Sequence, residues 1–298
     1  MFCSFNEVEK YLIRSKVNKR VVLCGSHDRI GLRALVRAKR QGFATAILIG
    51  NRDKTIAILE EMDEPINEYV IIDEKSELKA ASTAVKMVCT GEADLPMKGI
   101  VQTAPYLMAI LNPLSGFTDP EAFINEYTVF FFSEQDRLII TGDCAVNIAP
   151  TLDEKVKILK NLVGVAKVFK SENTKVAAVS VIEKPTPKIR SSMDADALAR
   201  MDWGDDVIVE GPFALDNALD PAAAKHKGIE SKVAGKADIL LMPDIHAGNI
   251  LHKSLHFFGH MPFASGVAGA GRPIIMNSRT DDEDSKFYSI MAGILQTS

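Results

Sequence analysis

The chain has 298 residues, 47% hydrophobic and 25% charged, which is globular usage and excludes collagen-like and low-complexity readings. The net charge of −4 and pI of about 5.9 argue against bulk attraction to nucleic acid, while leaving room for a small anion held by local basic groups. No apolar run approaches the roughly 18 residues that span a bilayer, so no membrane association is expected; MFCSFNEVEKYLIRSK is charged where a signal peptide is apolar, and Cys3, Cys24, Cys89 and Cys144 form no C-x-x-C pair, which points to reduced thiols in the cytoplasm.

Apolar runs alternate with amphipathic ones from the start. Arg20–Gly25 predicts a buried strand, and Asp28–Gln41 a helix with Ile30, Leu35 and Ala38 on one face. Next come Ala44–Gly50 (strand), Thr55–Met62 (helix), Tyr69–Asp73 (strand), Glu77–Cys89 (helix), Ala93–Met97 (strand) and Thr103–Leu111 (helix). This β-α order predicts an α/β protein whose sheet is mostly parallel and covered on both faces. The loop from Asn112 to Asn125 leads to two apolar runs, Thr128–Phe132 and Leu138–Thr141, where a domain crossover is placed. Then follow Leu152–Phe169 (helix), Val176–Val181 (strand), Ala195–Met201 (helix), Val207–Glu210 (strand), Ala222–Lys227 (helix), Ile239–Met242 (strand) and Gly248–Phe257 (helix). Pro273–Met276 (strand) and Asp282–Ile294 (helix) close the chain. The expectation is two closely apposed α/β domains with a cleft, the first of residues 1–132 plus 265–298, the second of 133–264.

In such sheets ligands bind where strands lead into helices. At Asn277-Ser278-Arg279 a strand ends, and Thr280-Asp281-Asp282-Glu283 has capping-box spacing. A guanidinium beside helix-start N–H groups seats phosphate; the plainer reading is an acidic first turn that complements the helix dipole. The loop Glu183–Ser192 carries Lys184, Lys188 and Arg190, suited to clamping phosphate, or a solvated Pro-rich connection. Arg29, Arg33, Arg37, Lys39 and Arg40 make either a nucleotide contact or a solvated helix face. His252 and His256 stand at i, i+4, but no H-E-x-x-H is present and packing histidines are the default, so no metal is expected. Gly266-Val-Ala-Gly269-Ala-Gly271 is not a dinucleotide fingerprint; it fits close backbone approach to a ligand or a tight turn. Neither a P-loop nor G-x-S-x-G is present, and Cys144 reads as a buried inert thiol.

Several blocks together resemble the phosphate acetyl/butyryltransferase family: Asp143-Cys-Ala-Val-Asn147, Val209–Ala218, Val233–Asp238, Pro243–Asn249 with Lys253, Asn277-Ser-Arg279 and, more weakly, Ala93–Gly99 with Thr103. The butyryl branch is the nearer match. The resemblance implies a fold like that of isocitrate and isopropylmalate dehydrogenases, with the last strand and helix returning to the first domain, and pairing into homodimers. It implies reversible transfer of a butyryl or acetyl group between CoA and phosphate, both substrates, with no cofactor. Arg279 is then expected to hold phosphate, Ser278 or a nearby backbone N–H to donate to the carbonyl oxygen, and Asp281 or Asp284 to take the thiol proton, because the family's base position, seven after the serine, is Ser285 here. The family's N-terminal phosphate-binding arginine has no secure match here; Lys98 is a candidate stand-in, as are Lys188 and Arg190 from the Pro-rich loop. Thr103, Asn147, Asp216, Asn249, Lys253, Gly269 and Gly271 are the remaining expected substrate contacts. Two other readings are a nicotinamide-dependent, metal-requiring hydroxy-acid dehydrogenase of the same fold and a non-catalytic acyl-CoA-binding regulator.

Overall fold

The computed structural model describes residues 2–169 and 173–297. Contacts divide them into a first unit, 5–122 with 264–297, and a second unit, 2–4 with Phe123–Phe263. In chain order the first unit contains α1 (Phe5–Ser15), β1 (Lys19–Cys24), α2 (Arg29–Arg40), β2 (Ala44–Gly50), α3 (Arg52–Glu60), β3 (Val70–Asp73), α4 (Glu77–Cys89), β4 (Leu95–Lys98) and α5 (Thr103–Ile110). The second contains β5 (Asn125–Phe132), β6 (Arg137–Gly142), α6 (Leu152–Phe169), β7 (Thr174–Val179), α7 (Arg190–Ala199), β8 (Val207–Phe213), α8 (Leu215–Leu219), α9 (Pro221–His226), β9 (Ile239–Leu241) and α10 (Ile245–Phe257). The chain then runs through β10 (Phe263–Ala268), β11 (Ile274–Ile275) and α11 (Glu283–Leu295).

The first unit's strands lie in the order β3-β2-β1-β4-β11-β10, parallel except that β10 runs antiparallel to β11. Val21, Val22, Leu23 and Cys24 are fully buried, which is why β1 reads as an unbroken apolar run rather than an alternating one. The register pairs Cys24 with Lys98 and Met97 with Ile275. The chain therefore leaves β1, β4 and β11 at one level of the sheet. The helix α11 is buried all round from Ser285 to Leu295 except at Tyr288, as a helix inside a core must be.

The second unit orders its strands β5-β6-β9-β7-β8, with the hairpin β5–β6 antiparallel and the rest parallel. Among the α-helices and strands of the described residues, α1, α8 and β10 lie outside the sequence-predicted set. The last occupies Phe263–Ala268, partly where a ligand-approaching glycine loop is one expectation.

Candidate active site

Three loops of the first unit, after β1, β4 and β11, carry a buried group of charges. Lys98 is 3% exposed and ends β4. The only hydrogen bond of its side-chain amine among the described residues is a 3.3 Å donation to Val101 O. Lys286, 1% exposed on α11, donates to Asp28 Oδ2 at 2.6 Å. Asp28 is the residue before α2, and its carboxylate makes no cap to that helix. Burial, and next the charge of Lys286, bring the Lys98 amine down to about 8; Arg279 acts in the same direction, and Asp28 and Asp281 oppose it. Two glycines let the loops meet. A Cβ at Gly99 would lie 2.6 Å from both Cys24 O and Gly25 O, and one at Gly25, which has φ +70°, 3.0 Å from Ile100 N.

The turn after β11 is held by Asp281, which is buried and accepts from Ser278 N at 2.7 Å. The Ser278 hydroxyl lies 3.0 Å from the Thr280 hydroxyl. Arg279 is exposed and makes no hydrogen bond or ion pair among the described residues. The expected capping box is corrected: Asp282, not Thr280, caps α11, accepting from Ser285 N at 2.8 Å. The four acidic positions part company rather than converge. Asp281 faces inward, Asp282 caps, Glu283 pairs with Arg33 at 3.1 Å, and Asp284, 64% exposed, pairs with Arg37 at 2.6 Å. The basic face of α2 is likewise taken up by acidic partners, including Glu61 for Arg29 and Glu64 for Arg40.

In the second unit Asp143 follows β6. Its carboxylate accepts from the backbone N–H of Ala145, Val146 and Asn147 at 2.9–3.0 Å and from Asn147 Nδ2 at 2.6 Å. One carboxylate thus shapes the whole 143–147 turn. Asn147 also donates to Ile124 O, and Asn249, on α10, donates to Cys144 O. Lys253, one turn further along α10, lies 5.9 Å from the Phe257 ring centroid. Asp216, in the first turn of α8, pairs with Lys227 at 3.0 Å. Lys188 is exposed, and Arg190, the first residue of α7, lies 3.6 Å from Asp194.

Below this turn sits a buried polar chain that sequence reasoning passed over. Thr128 Oγ1 lies 2.5 Å from Glu126 Oε1 and 3.0 Å from His252 Nδ1, and Cys144 N donates to Glu126 Oε2 at 3.1 Å. Burial, with Asp143 adding its charge, pushes Glu126 up to about 8; burial brings His252 down to about 3. The Cys144 thiol is pushed well up by burial, which suits an inert group. Because the folded Glu126 value lies above the unfolded carboxylate range, near 4.5, its contribution to stability is complete below about pH 4.5 and is lost as pH rises through 8. Glu126→Gln is expected to flatten that slope, so thermal midpoints from pH 5 to 9 should fall less for the variant than for the wild type. Parallel profiles would refute the assignment.

The structure brings together Lys98, Ser278, Arg279 and Asp281 at the carboxyl ends of the first unit's strands, with Thr103 opening the helix that follows Lys98. Asn147, Asn249, Asp216, Lys188 and Arg190 follow strand ends of the second unit or lie on the helices after them. Two expectations change. Asp284 points to the α2 surface because it sits on the outer side of α11's first turn. Gly269 and Gly271, with φ of +92° and +75°, form the turn from β10 into β11. Because β11 runs parallel to β4, that turn lies at the opposite end of the sheet from Ser278. Asp28, Lys286 and Glu126 are the residues missed. His252 and His256 pack edge-on against Phe263, and among the described residues no three His, Cys, Asp or Glu side chains group as metal ligands.

Cations and a serine hydroxyl thus stand at the carboxyl ends of parallel strands. Residues 70–293 match the family of phosphate acetyl/butaryl transferases. A phosphate butyryltransferase of Clostridium acetobutylicum is 38% identical over 298 residues, 99% of this chain and 98% of that protein. A phosphate acetyltransferase of Thermotoga maritima is 37% identical over 282 residues, 94% of this chain and 95% of that one. The crystal structure of a branched-chain phosphotransacylase from Enterococcus faecalis matches with a TM-score of 0.83 at 28% identity, covering 94% of this chain and 99% of that one. The chain belongs to the phosphate acetyl/butyryl transferase family.

Proposed function

We propose that this protein transfers a short-chain acyl group reversibly between CoA and inorganic phosphate, with butyryl favoured over acetyl, and that the chemistry takes place at the ends of β1, β4 and β11. The observation that carries the reading is the charge count there: three cations, Lys98, Lys286 and Arg279, against two carboxylates, Asp28 and Asp281. With Lys98 protonated the count is one positive charge in excess, which suits an oxyanion; with its amine neutral, the Arg279 guanidinium still has no ion-pair partner among the described residues. Arg279 presents a free planar fork to the phosphate. The helix α5 begins at Thr103 without a side-chain cap, and the amides of Thr103 and Ala104 are assigned to the same anion; Pro105 has none to offer. The Ser278 hydroxyl donates to the acyl oxygen as it becomes an oxyanion; its backbone N–H is already given to Asp281. Asp281 is a positioning residue that fixes the Ser278–Arg279 turn.

Asn147, Asn249 and Lys253, with Lys188, Arg190 and Asp216 at the neighbouring strand ends, are assigned to CoA. Neither direction changes an oxidation state, so no electron carrier is needed: acyl-CoA and phosphate give acyl phosphate and CoA, and the reverse consumes acyl phosphate and CoA. The chain works in the cytoplasm, in keeping with its free cysteines. It pairs into homodimers, in keeping with the exposed Phe257 and Phe258 at the end of α10. Free thiol released from acetyl-, propionyl- and butyryl-CoA, with and without phosphate, tests the function. The expected result is phosphate-dependent release with the highest kcat/KM for butyryl-CoA. Release that ignores phosphate for all three thioesters would end the proposal.

A further inference from the structure

We propose that Lys98 is the proton carrier of the transfer, taking the CoA thiol proton as sulfur attacks the acyl carbonyl and handing it to the phosphate oxygen that leaves. The inference rests on the acyl-transfer reading above and supplies the base that reading lacks. The position seven residues after Ser278 holds Ser285, which is buried, with its N–H donated to the Asp282 cap. Asp284 is tied to Arg37, Asp28 to Lys286, and Asp281 Oδ2 to the backbone of Ser278. Among the described residues, each of these three carboxylates is thus already engaged.

Lys98 is differently situated. It is buried at the end of β4, level with Cys24 on β1, and spends one donor on a long bond to Val101 O. No carboxylate among the described residues is in ion-pair distance of its amine. The groups whose charge acts on it are Lys286 of α11, Asp28 of the loop after β1, and Arg279 and Asp281 of the turn after β11. Cys24 adds no charge, since burial pushes its thiol up to about 12. Of the three basic groups, a guanidinium such as that of Arg279 is no proton carrier, and Lys286 is engaged by Asp28 at 2.6 Å. Lys98 is the one that gives up a proton readily, with its amine brought near 8. A CoA thiol, by analogy with cysteine at about 8.5, is closely matched to it.

The step balances. In the direction that consumes acyl phosphate, the S–H proton passes to neutral Nζ and the S–C bond forms. The bond from carbonyl carbon to phosphate oxygen then breaks, and that oxygen takes the proton from Nζ. Acyl phosphate and thiol give thioester and hydrogen phosphate, with Lys98 restored. In reverse, the hydrogen phosphate O–H yields its proton to Nζ as oxygen attacks, and the departing thiolate takes it.

The test is the pH dependence of phosphate-dependent thiol release by the full-length wild type, Lys98→Arg and Lys98→Met, each checked for folding by circular dichroism. The wild type should rise with pH, with the midpoint of the limb near 8 and the plateau above about 9. Arginine keeps the charge but not the proton transfer. Lys98→Arg should therefore lose roughly 100-fold in kcat, with KM for phosphate changed by less than about three-fold, and lose the rising limb. Lys98→Met should lose the limb and raise the KM as well. The wild type gives a second reading independent of folding: the midpoint of an amine falls on warming, while that of a carboxylate barely moves. A Lys98→Arg enzyme with wild-type kcat or an unchanged limb, or a limb indifferent to temperature, would overturn Lys98 as the carrier while leaving the acyltransferase intact. A wild type that releases no thiol with phosphate would overturn the underlying reading instead.

Discussion

Arg279→Ala should lower kcat/KM for phosphate-dependent thiol release by two orders of magnitude or more, with no loss of thermal stability. The two halves of that expectation come from the same observation. Arg279 is exposed and makes no hydrogen bond or ion pair among the described residues, so its removal leaves no buried partner stranded. Its fork is free to take two phosphate oxygens at once, and a charge aligned on the phosphate as it departs acts mainly in the transition state. Lys286 and Lys98 remain in the variant, so the anion is still attracted but no longer oriented. Arg279→Lys should recover only part of the loss, because an ammonium is a point charge without the planar pair of donors. Steady-state kinetics over phosphate and acyl-CoA concentrations, beside a thermal melt, decide it. Near-normal turnover in Arg279→Ala would show that the oxyanion is held elsewhere.

The fold was largely legible because buried parallel strands announce themselves as apolar runs between turns. The bounds of β2, α4 and α6 in the structure match those the periodicity predicts. What escaped had other physics behind it. Phe5, Val8 and Leu12 of α1 lie on one face and carried a helix signal that the charged N-terminal stretch masked. The strand β10, Phe-Ala-Ser-Gly-Val-Ala, has neither alternation nor branched enrichment; it is a strand because it pairs with β11. Loop polarity similarly pointed to Arg279, Ser278 and Lys98, which lie just after strands. The same polarity could not sort the acidic run 281–284, whose members face in different directions only once α11 is packed. Lys286 looked like any lysine on a helix. Its burial, and its partner 258 residues away in sequence, exist only through the return of α11 to the first unit.

That partner gives the largest expected effect on stability. Lys286→Met should destabilise the first unit by about 3–5 kcal/mol, because it leaves the Asp28 carboxylate buried without its ion-pair partner. Thermal midpoints should fall by roughly 10 °C. The double variant Asp28→Asn/Lys286→Met should recover most of the loss. It removes both charges, and a methionine fills the space of the lysine stem at little cost in packing. The coupling between the two positions, read from the full cycle, should be about 2 kcal/mol or more. A double variant no more stable than Lys286→Met would mean that the lysine stem, not the charge pair, holds α11 in place. The cycle also reports on the site. In Lys286→Met a repelling charge near Lys98 is gone and an attracting one is exposed to it, and both changes favour the ammonium form. The rising limb of the pH profile should therefore move to higher pH in the single variant and return part of the way in the double. A purely structural role for Lys286 would change the melting temperature and leave that limb where it was.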